Sequence, residues 1–187
     1  MKSNNLILIG FMGAGKTTIG RSLSYRLKRS YVDSDKEIER LQGMTVKQIF
    51  EKRGEEEFRK LETEYLESVR DTMHHGILAT GGGLPINENN HKLLKNLGRI
   101  YYLKVDEDVA RKRILRNTKR PLAKADNPKE AIHDLFIKRE SVYEKLCDVV
   151  VIAGDGEPDK IVDFIAKDFE KWEKQKNENS RHKRTKS

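Results

Sequence analysis

The chain has 187 residues, a formal net charge of +8 and a single cysteine, Cys147, so it cannot form an internal disulfide. The only unbroken apolar run near the N-terminus covers residues 6–9, which is too short for a signal-peptide core or a membrane span. The length suits one domain with a sizeable core. We expect a soluble cytoplasmic monomer that has no membrane partner.

Short apolar strands alternate with helical patterns along the whole chain. In chain order the pattern predicts strand 6–9, helix 16–28, strand 31–32, helices 35–42, 45–53 and 55–73, strand 77–80, helix 87–97, strand 99–105, helix 107–116, loop 117–128, helix 129–146, strand 148–152 and helix 158–172. This alternation predicts an α/β fold, a three-layer doubly wound parallel sheet of about five strands. Ligands of such sheets bind beyond the carboxyl ends of the strands.

The C-terminal end has a different composition from the rest. Residues 171–187 carry seven Lys or Arg against two Glu, and the segment "KQKNENSRHKRTKS" has almost no apolar residue. Such a segment cannot bury enough surface to order itself. We therefore expect a domain over residues 1–170 and a basic, disordered tail over 171–187. A solvated tail is favoured over a nucleic-acid contact.

One motif predicts a phosphate site. The sequence "GFMGAGKT" at residues 10–17 matches G-x-x-x-x-G-K-[ST], follows a strand and opens a helix. Backbone amides of such a loop point at an anion. Lys16 would reach the β- and γ-phosphates, and Thr17 would offer its hydroxyl to Mg²⁺. The motif predicts binding of ATP with Mg²⁺, but it does not decide what happens to the γ-phosphate.

Two further clusters follow predicted strands. Asp33 and Asp35 lie two residues apart, so in an extended stretch they share one face. One could hold a metal-bound water while the other accepts a proton from a nucleophilic hydroxyl, although Asp35 could instead be only a helix cap. The triplet at residues 81–83 ("GGG") is costly to order, which indicates that something must approach its backbone closely.

Taken together, six segments resemble the shikimate kinases. They occur in the family's order and at family-like spacing over residues 5–168: "GFMGAGKTTIGRSL", "DSD", "FRKLE", "ATGGG", "NTKRPL" and "RESVYE". The resemblance implies a P-loop kinase with a nucleoside monophosphate kinase-like fold. It also implies transfer of the ATP γ-phosphate to the 3-hydroxyl of shikimate, giving shikimate 3-phosphate and ADP in chorismate and aromatic amino-acid biosynthesis.

The resemblance also implies roles for individual residues. Asp35 is expected to bind the shikimate hydroxyls and act as the base, and Asp33 to hold Mg²⁺ through water together with Thr17. Arg59 and Arg139 are expected to hold the substrate carboxylate, since planar guanidinium groups do this well. The other expected substrate-binding residues are Phe50, Phe58, Glu62, Gly81, Gly82, Gly83, Pro121 and Leu122.

On the nucleotide side, the resemblance implies a mobile lid at about 113–128. Arg120 in this lid is expected to close over the phosphates and, with Lys16 and Asp35, to be catalytic. The expected ATP-binding residues are Gly13, Ala14, Gly15, Lys16, Thr17, Thr18, Arg113, Arg120 and Pro158. The glycine triplet is expected to lie against shikimate, where any Cβ would stand in the place of the ring.

Two other functions remain open from the sequence. A gluconate-type sugar-acid kinase would share the fold and an acidic substrate, but such kinases typically have His-Pro shortly after the acidic segment, and "DSDKEIE" lacks it. A non-catalytic module that binds nucleotide or nucleic acid could lose Asp35, Arg59 or Arg139 freely, yet all three are present. An ATP-coupled assay with shikimate and then with gluconate separates these functions.

Overall fold

Five parallel strands form the centre of the molecule, in the order β2-β3-β1-β4-β5. The computed structural model describes residues 4–116, 126–154 and 157–184, with side chains as far as residue 179. The strands are β1 Asn5–Ile9, β2 Ser30–Asp33, β3 Gly76–Ala79, β4 Gly98–Lys104 and β5 Val149–Ile152.

Seven α-helices flank this sheet within the described residues. They are α1 Lys16–Leu27, α2 Ser34–Gln42, α3 Val46–Val69, α4 Asn89–Leu97, α5 Glu107–Leu115, α6 Pro128–Leu146 and α7 Pro158–Arg184. The predicted doubly wound parallel sheet is therefore confirmed. Across the described residues, every helix is too short or too polar to traverse a bilayer.

Strand β1 lies at the middle of the sheet and is the most deeply buried strand. Residues 5–9 are fully buried, as expected of a parallel strand that is covered by helices on both faces. β1 pairs with β3 on one side and with β4 on the other. The loop after β1 therefore leaves the centre of the sheet, with the ends of β2 and β3 on one side and those of β4 and β5 on the other.

The region after β2 agrees with its predicted form at Gly54. This residue has non-helical φ 84° and ψ 169° inside α3, so two helical stretches meet there, as the helices predicted at 45–53 and 55–73 require. Only glycine adopts this backbone region readily, so Gly54 ends the first stretch as predicted, whereas the second stretch ends at Val69 and not near residue 73. Thr45 caps α3 as predicted, in a reciprocal hydrogen-bond pair with Gln48.

The C-terminal helix also differs from its predicted form, because it continues to Arg184 instead of ending at 172. In the segment expected to be a disordered tail, the ring of Trp172 packs 5.4 Å from that of Phe169. Glu173 accepts a 2.6 Å hydrogen bond from Arg29, and Lys176 donates one of 2.6 Å to the side chain of Asn4. The predicted boundary at 170 therefore lies inside a helix that these contacts hold against the domain.

Candidate active site

The loop between β1 and α1 has the backbone of a phosphate cradle. Gly10, Gly13 and Gly15 all have positive φ, of 145°, 86° and 89°. A Cβ on Gly10 would lie 2.7 Å from the carbonyl oxygen of Leu103, so both conformation and space require glycine there. The cradle predicted at residues 10–17 has the expected strand–loop–helix setting, with Gly15 capping the N-terminus of α1.

Lys16 lies against this loop. Its ammonium group donates hydrogen bonds to the carbonyl oxygens of Gly10, at 2.7 Å, and Phe11, at 3.0 Å. The positive charge is therefore held next to the backbone that would receive the phosphates.

Thr17 and Asp33 bring two oxygen donors together from different elements. The Thr17 hydroxyl donates to Oδ2 of Asp33 over 3.2 Å. The other oxygen of Asp33 caps α2 by accepting from the amides of Asp35, at 3.2 Å, and Lys36, at 3.4 Å. Asp33 is thus fixed at the end of β2 with one oxygen turned toward the phosphate loop.

This pair of oxygens fits a magnesium ion that arrives with a nucleotide. Among the described residues, no group of three or more His, Cys, Asp or Glu side chains could hold a metal ion by itself. Mg²⁺ usually keeps several waters and uses one or two carboxylates together with substrate phosphates. A hydroxyl and a carboxylate beside the cradle are the donors that this arrangement needs.

Asp35 has a buried oxygen that is free to accept a hydrogen bond. Its Oδ1 is buried and has no hydrogen-bond partner within the described structure. Burial, followed by the nearby charge of Asp33, raises the pKa of Asp35 to about 6, although Lys16 and Arg59 act in the opposite direction. A buried carboxylate oxygen without a partner is costly, so a ligand hydroxyl would complete its hydrogen bonding.

Arg59 is held between two carboxylates and two aromatic rings. Its Nη1 donates to Glu62 over 2.6 Å, and its Nη2 donates to Glu55 over 2.7 Å. The guanidinium carbon lies 5.6 Å from the ring centre of Phe58 and 5.9 Å from that of Phe50. These contacts bring together four residues expected at the substrate site, and they fix the plane of the guanidinium group.

Glu62 is the most deeply buried acid of this group, with 1% of its side chain exposed. Its Oε1 has no hydrogen-bond partner within the described structure. Burial raises the pKa of Glu62 to about 7, because the loss of water outweighs the attraction of Arg59. Together with Asp35, it gives the site two carboxyl groups that titrate close to neutral pH.

The glycine triplet leaves space for these side chains. A Cβ on Gly81 would collide with the carboxylate of Asp35 and would lie 3.1 Å from Oε1 of Glu62. A Cβ on Gly83 would collide with the guanidinium group of Arg59. The sequence led us to expect a bound ring at these positions. In the described structure, the protein's own functional side chains fill that space.

Arg139 reaches the same loop from α6. Its side chain is buried, and Nη1 would lie 3.4 Å from a Cβ on Gly82. One turn later, the hydroxyl of Tyr143 donates to the carbonyl oxygen of Gly82 over 2.5 Å, and it is also hydrogen-bonded to Arg139. Arg59 lies next to the following glycine, Gly83. The two arginines predicted to form a carboxylate clamp therefore lie beside consecutive residues of one loop.

On the other side of the cradle, Arg113 joins two loops. Its guanidinium group donates to the carbonyl oxygens of Gly13, at 2.9 Å, and Gly154, at 3.1 Å. Gly154 belongs to the loop after β5, which leads to Pro158 at the start of α7 and is expected to face adenine. Arg113, a predicted nucleotide residue, thus connects the phosphate loop to the loop after β5.

Some predicted residues cannot be placed, and some contacts were not foreseen. Arg120, Pro121 and Leu122, with most of the expected lid, lie outside the described residues. Ser34, for which no role was predicted, is fully buried and accepts a 2.8 Å hydrogen bond from the amide of Gly81. The two residues are 47 positions apart, so no local sequence signal indicates this contact.

A phosphate loop alone identifies a nucleotide-binding protein. Here buried acids and arginines gather beside that loop, at the ends of β2 and β3, so the fold and the site define a P-loop kinase that phosphorylates a small acceptor molecule. The family model described as shikimate kinase matches residues 12–170. The chain therefore belongs to the shikimate kinase family.

Individual relatives agree with this assignment. The chain is 37% identical to the shikimate kinase of Nitrosospira multiformis over 164 residues, which is 88% of this chain and 84% of the relative. It is 43% identical to that of Bordetella avium over 150 residues, which is 80% and 71% of the two chains.

Solved structures give the same result. Shikimate kinase from Acinetobacter baumannii in complex with shikimate superimposes with a TM-score of 0.81 at 37% identity, covering 86% of this chain and 89% of the other. A gluconokinase from Sinorhizobium meliloti gives a TM-score of 0.64 at 13% identity and covers 96% of this chain and 97% of its own, which shows a shared fold only.

Proposed function

We propose that this protein transfers the γ-phosphate of ATP to the 3-hydroxyl of shikimate, giving shikimate 3-phosphate and ADP in aromatic amino-acid biosynthesis. One observation carries the proposal. Arg59 and Arg139 meet at consecutive glycines, and the same loop borders the carboxylate of Asp35. A compact acid with ring hydroxyls would match two guanidinium groups and a carboxylate oxygen that lacks a partner.

The comparisons support shikimate over gluconate as the substrate. The relatives at 36–43% identity are named shikimate kinases, and one solved relative is a complex with shikimate. The likeness to a gluconokinase is confined to the fold, at 13% identity. The His-Pro pair typical of gluconate kinases is also missing after Asp35.

Asp35 acts as the base in the proposed mechanism. With a pKa of about 6 it is mostly ionised at neutral pH, and it accepts the proton of the 3-hydroxyl as that oxygen attacks the γ-phosphorus. The new bond joins the 3-oxygen to phosphorus, while the bond between the γ-phosphorus and the bridging oxygen breaks. ADP leaves with that electron pair.

The phosphate side supplies charge and orientation. Lys16 and the amides of the loop bind the phosphates, and Thr17 with Asp33, the latter through water, would hold Mg²⁺. When bound, Mg²⁺ neutralises charge that develops on the β- and γ-phosphates. We assign Arg113 and Pro158 to the nucleotide, and, from family resemblance, Arg120, Pro121 and Leu122 to the lid side.

We also propose that the enzyme acts as a monomer in the cytoplasm, where ATP is available.

The carboxylate clamp tests the substrate most directly. Truncating one partner of a buried charge pair costs about 2–5 kcal/mol, so Arg59→Ala and Arg139→Ala should each lower kcat/KM for shikimate roughly thirtyfold or more. Lysine at either position should restore activity only in part, because its ammonium group cannot form two parallel hydrogen bonds to a carboxylate as a guanidinium group does. Arg26→Ala, which removes a surface arginine paired with Asp163 at 3.6 Å, is the control and should leave shikimate use unchanged.

A neutral carboxamide analogue of shikimate makes this test specific. Wild type should discriminate strongly against the analogue, whereas Arg59→Ala and Arg139→Ala should lose most of that discrimination while their ATP affinity, measured without shikimate, barely changes. Retention of full discrimination by both variants would place the clamp elsewhere. Phosphorylation of gluconate, with none of shikimate, would contradict the proposed substrate.

A further inference from the structure

The guanidinium group of Arg59 is shared by two carboxylates that differ in their freedom to move. Both belong to α3, but the side chain of Glu62 is buried, with 1% exposed, whereas the side chain of Glu55 is 63% exposed. Glu55 covers Nη2 at 2.7 Å and Glu62 covers Nη1 at 2.6 Å. A substrate carboxylate that binds the guanidinium group of Arg59 must therefore compete with two residues. Glu55 can move away into water, whereas the buried Glu62 cannot.

The backbone around Glu55 favours its release. Gly54, directly before it, has φ 84° and ψ 169°, so Glu55 begins a new helical stretch after the kink in α3. A carboxylate in the first turn of a helix is stabilised by the amides that have no partner there. Glu55 can therefore turn away from Arg59 into water and still keep a favourable electrostatic position.

The chemistry of Glu55 matches that of the expected ligand. Both are carboxylates, and both would bind the same edge of the same guanidinium group. In the described structure, the Glu55–Arg59 pair spans one helical turn and is partly open to water, a type of ion pair that contributes little stability. A substrate that also bonds to neighbouring groups can displace such a contact.

We propose that Glu55 is a placeholder, which occupies the Nη2 edge of Arg59 in the empty enzyme and yields it to the substrate carboxylate. This inference rests on the proposed function, in which Arg59 binds that carboxylate. Every carboxylate must displace Glu55 to bind, so Glu55 weakens the binding of all of them by a similar factor. An acid whose hydroxyls also reach Asp35 still binds, whereas a simple acid, which gains little else, is kept out of the empty site.

The matched pair Glu55→Gln and Glu56→Gln tests the inference. Both changes remove one negative charge from neighbouring exposed positions of α3, but Glu56 pairs with Lys60, at 3.4 Å. Glu55→Gln should lower KM for shikimate about two- to fivefold, with the effect on KM rather than on kcat, and Glu56→Gln should not. Cyclohexanecarboxylate, which lacks ring hydroxyls, should inhibit Glu55→Gln at correspondingly lower concentrations than wild type.

Three outcomes would overturn the placeholder. A higher KM in Glu55→Gln would mean that Glu55 positions Arg59 for the substrate. An equal fall in KM in both variants would mean that the loss of any nearby negative charge favours the binding of shikimate, whether or not the residue contacts Arg59. An unchanged KM in Glu55→Gln would mean that Glu55 does not compete for Arg59.

A binding measurement separates this inference from the proposed function. Calorimetric titration of the full-length protein with cyclohexanecarboxylate, without ATP, should show tighter binding by Glu55→Gln than by wild type or Glu56→Gln. If wild type fails to phosphorylate shikimate but this ranking holds, the placeholder stands and the proposed substrate fails. If wild type is active and the three proteins bind the acid equally, the proposed function stands and the placeholder fails.

Discussion

The hydroxyl of Ser34 accepts a 2.8 Å hydrogen bond from the backbone amide of Gly81, and Ser34 is fully buried. Ser34 lies between Asp33 and Asp35, so this bond ties the acidic segment after β2 to the glycine triplet after β3. The relative position of the base and the clamp loop thus depends on a hydroxyl that takes no part in the chemistry.

Ser34→Ala should therefore affect both stability and substrate binding. The change leaves the Gly81 amide buried without an acceptor, at a cost of about 1–3 kcal/mol in the free energy of unfolding. KM for shikimate should rise more than KM for ATP. Urea denaturation and steady-state kinetics measure these effects, with Ser68→Ala as the control, because its hydroxyl donates to the carbonyl of Tyr65 within the same helix, α3. Equal effects on the two KM values would argue against this role.

Asp35→Asn should separate the base from the metal site. The substitution keeps the size of the side chain but removes its basicity, so kcat should fall at least about a hundredfold while ATP affinity changes little. Asp33→Asn should instead increase the Mg²⁺ concentration needed for half-maximal activity. Rapid kinetics and nucleotide titration distinguish the two variants. Loss of nucleotide binding in Asp35→Asn would assign that residue to the metal site.

Glu62 makes stability depend on pH. Burial raises its pKa from the ordinary 4.5 to about 7 in the folded protein. The charges of Arg59 and Arg139 oppose this rise, and the charge of Asp35 adds to it. Between about pH 4.5 and 7 the folded protein keeps a proton that the unfolded chain has released, so this group lowers stability as pH rises through that window. Glu62→Gln removes the effect and should therefore gain stability relative to wild type.

The free energy of unfolding of Glu62→Gln, relative to that of wild type, should increase from pH 4.5 to pH 8, by at most about 3 kcal/mol. Denaturant unfolding of both proteins at intervals of half a pH unit gives the comparison. A constant difference across the window would show that Glu62 stays ionised throughout. Glu56→Gln, at an exposed position of the same helix, is the control.

Truncation of the C-terminus tests where the folded domain ends. Deleting residues 171–187 removes Trp172 and leaves Arg29 without Glu173, in a pair whose side chains are only 11% and 18% exposed. This deletion should cost about 2 kcal/mol or more in the free energy of unfolding. Deleting residues 180–187, which include no apolar residue, should change stability by no more than about 0.5 kcal/mol. Equal stability of the two truncated proteins would mean that Trp172 and Glu173 contribute nothing.

The sheet could be predicted from the sequence because its strands are short apolar runs that follow one another between helical patterns. The phosphate loop could be predicted because its glycines, Lys16 and Thr17 are adjacent in the chain. The break at Gly54 could also be predicted, because a glycine between two helical patterns is a local signal. Local signals failed after residue 170, because the contacts of Glu173 and Lys176 are made with Arg29 and Asn4, far away in sequence.

The acceptor side of the site was harder to predict in detail. Family resemblance named Asp35, Arg59 and Arg139, and it attributed the three glycines after β3 to a bound ring. The described structure adds a second steric reason, since the glycines leave room for side chains from α2, α3 and α6. The contact of Ser34 with Gly81 and that of Tyr143 with Gly82 join residues 47 and 61 positions apart. No local spacing rule predicts such distant pairs.

The strand order has a consequence for how such an enzyme could be redesigned. Because β1 is central, most acceptor residues follow β2 and β3, while Arg113 and Gly154 lie on the side of β4 and β5. Arg139 crosses this boundary from α6. Grafting another kinase's segments after β2 and β3 should therefore change what is phosphorylated, while the phosphate loop and the contacts of Arg113 with Gly13 and Gly154 stay in place.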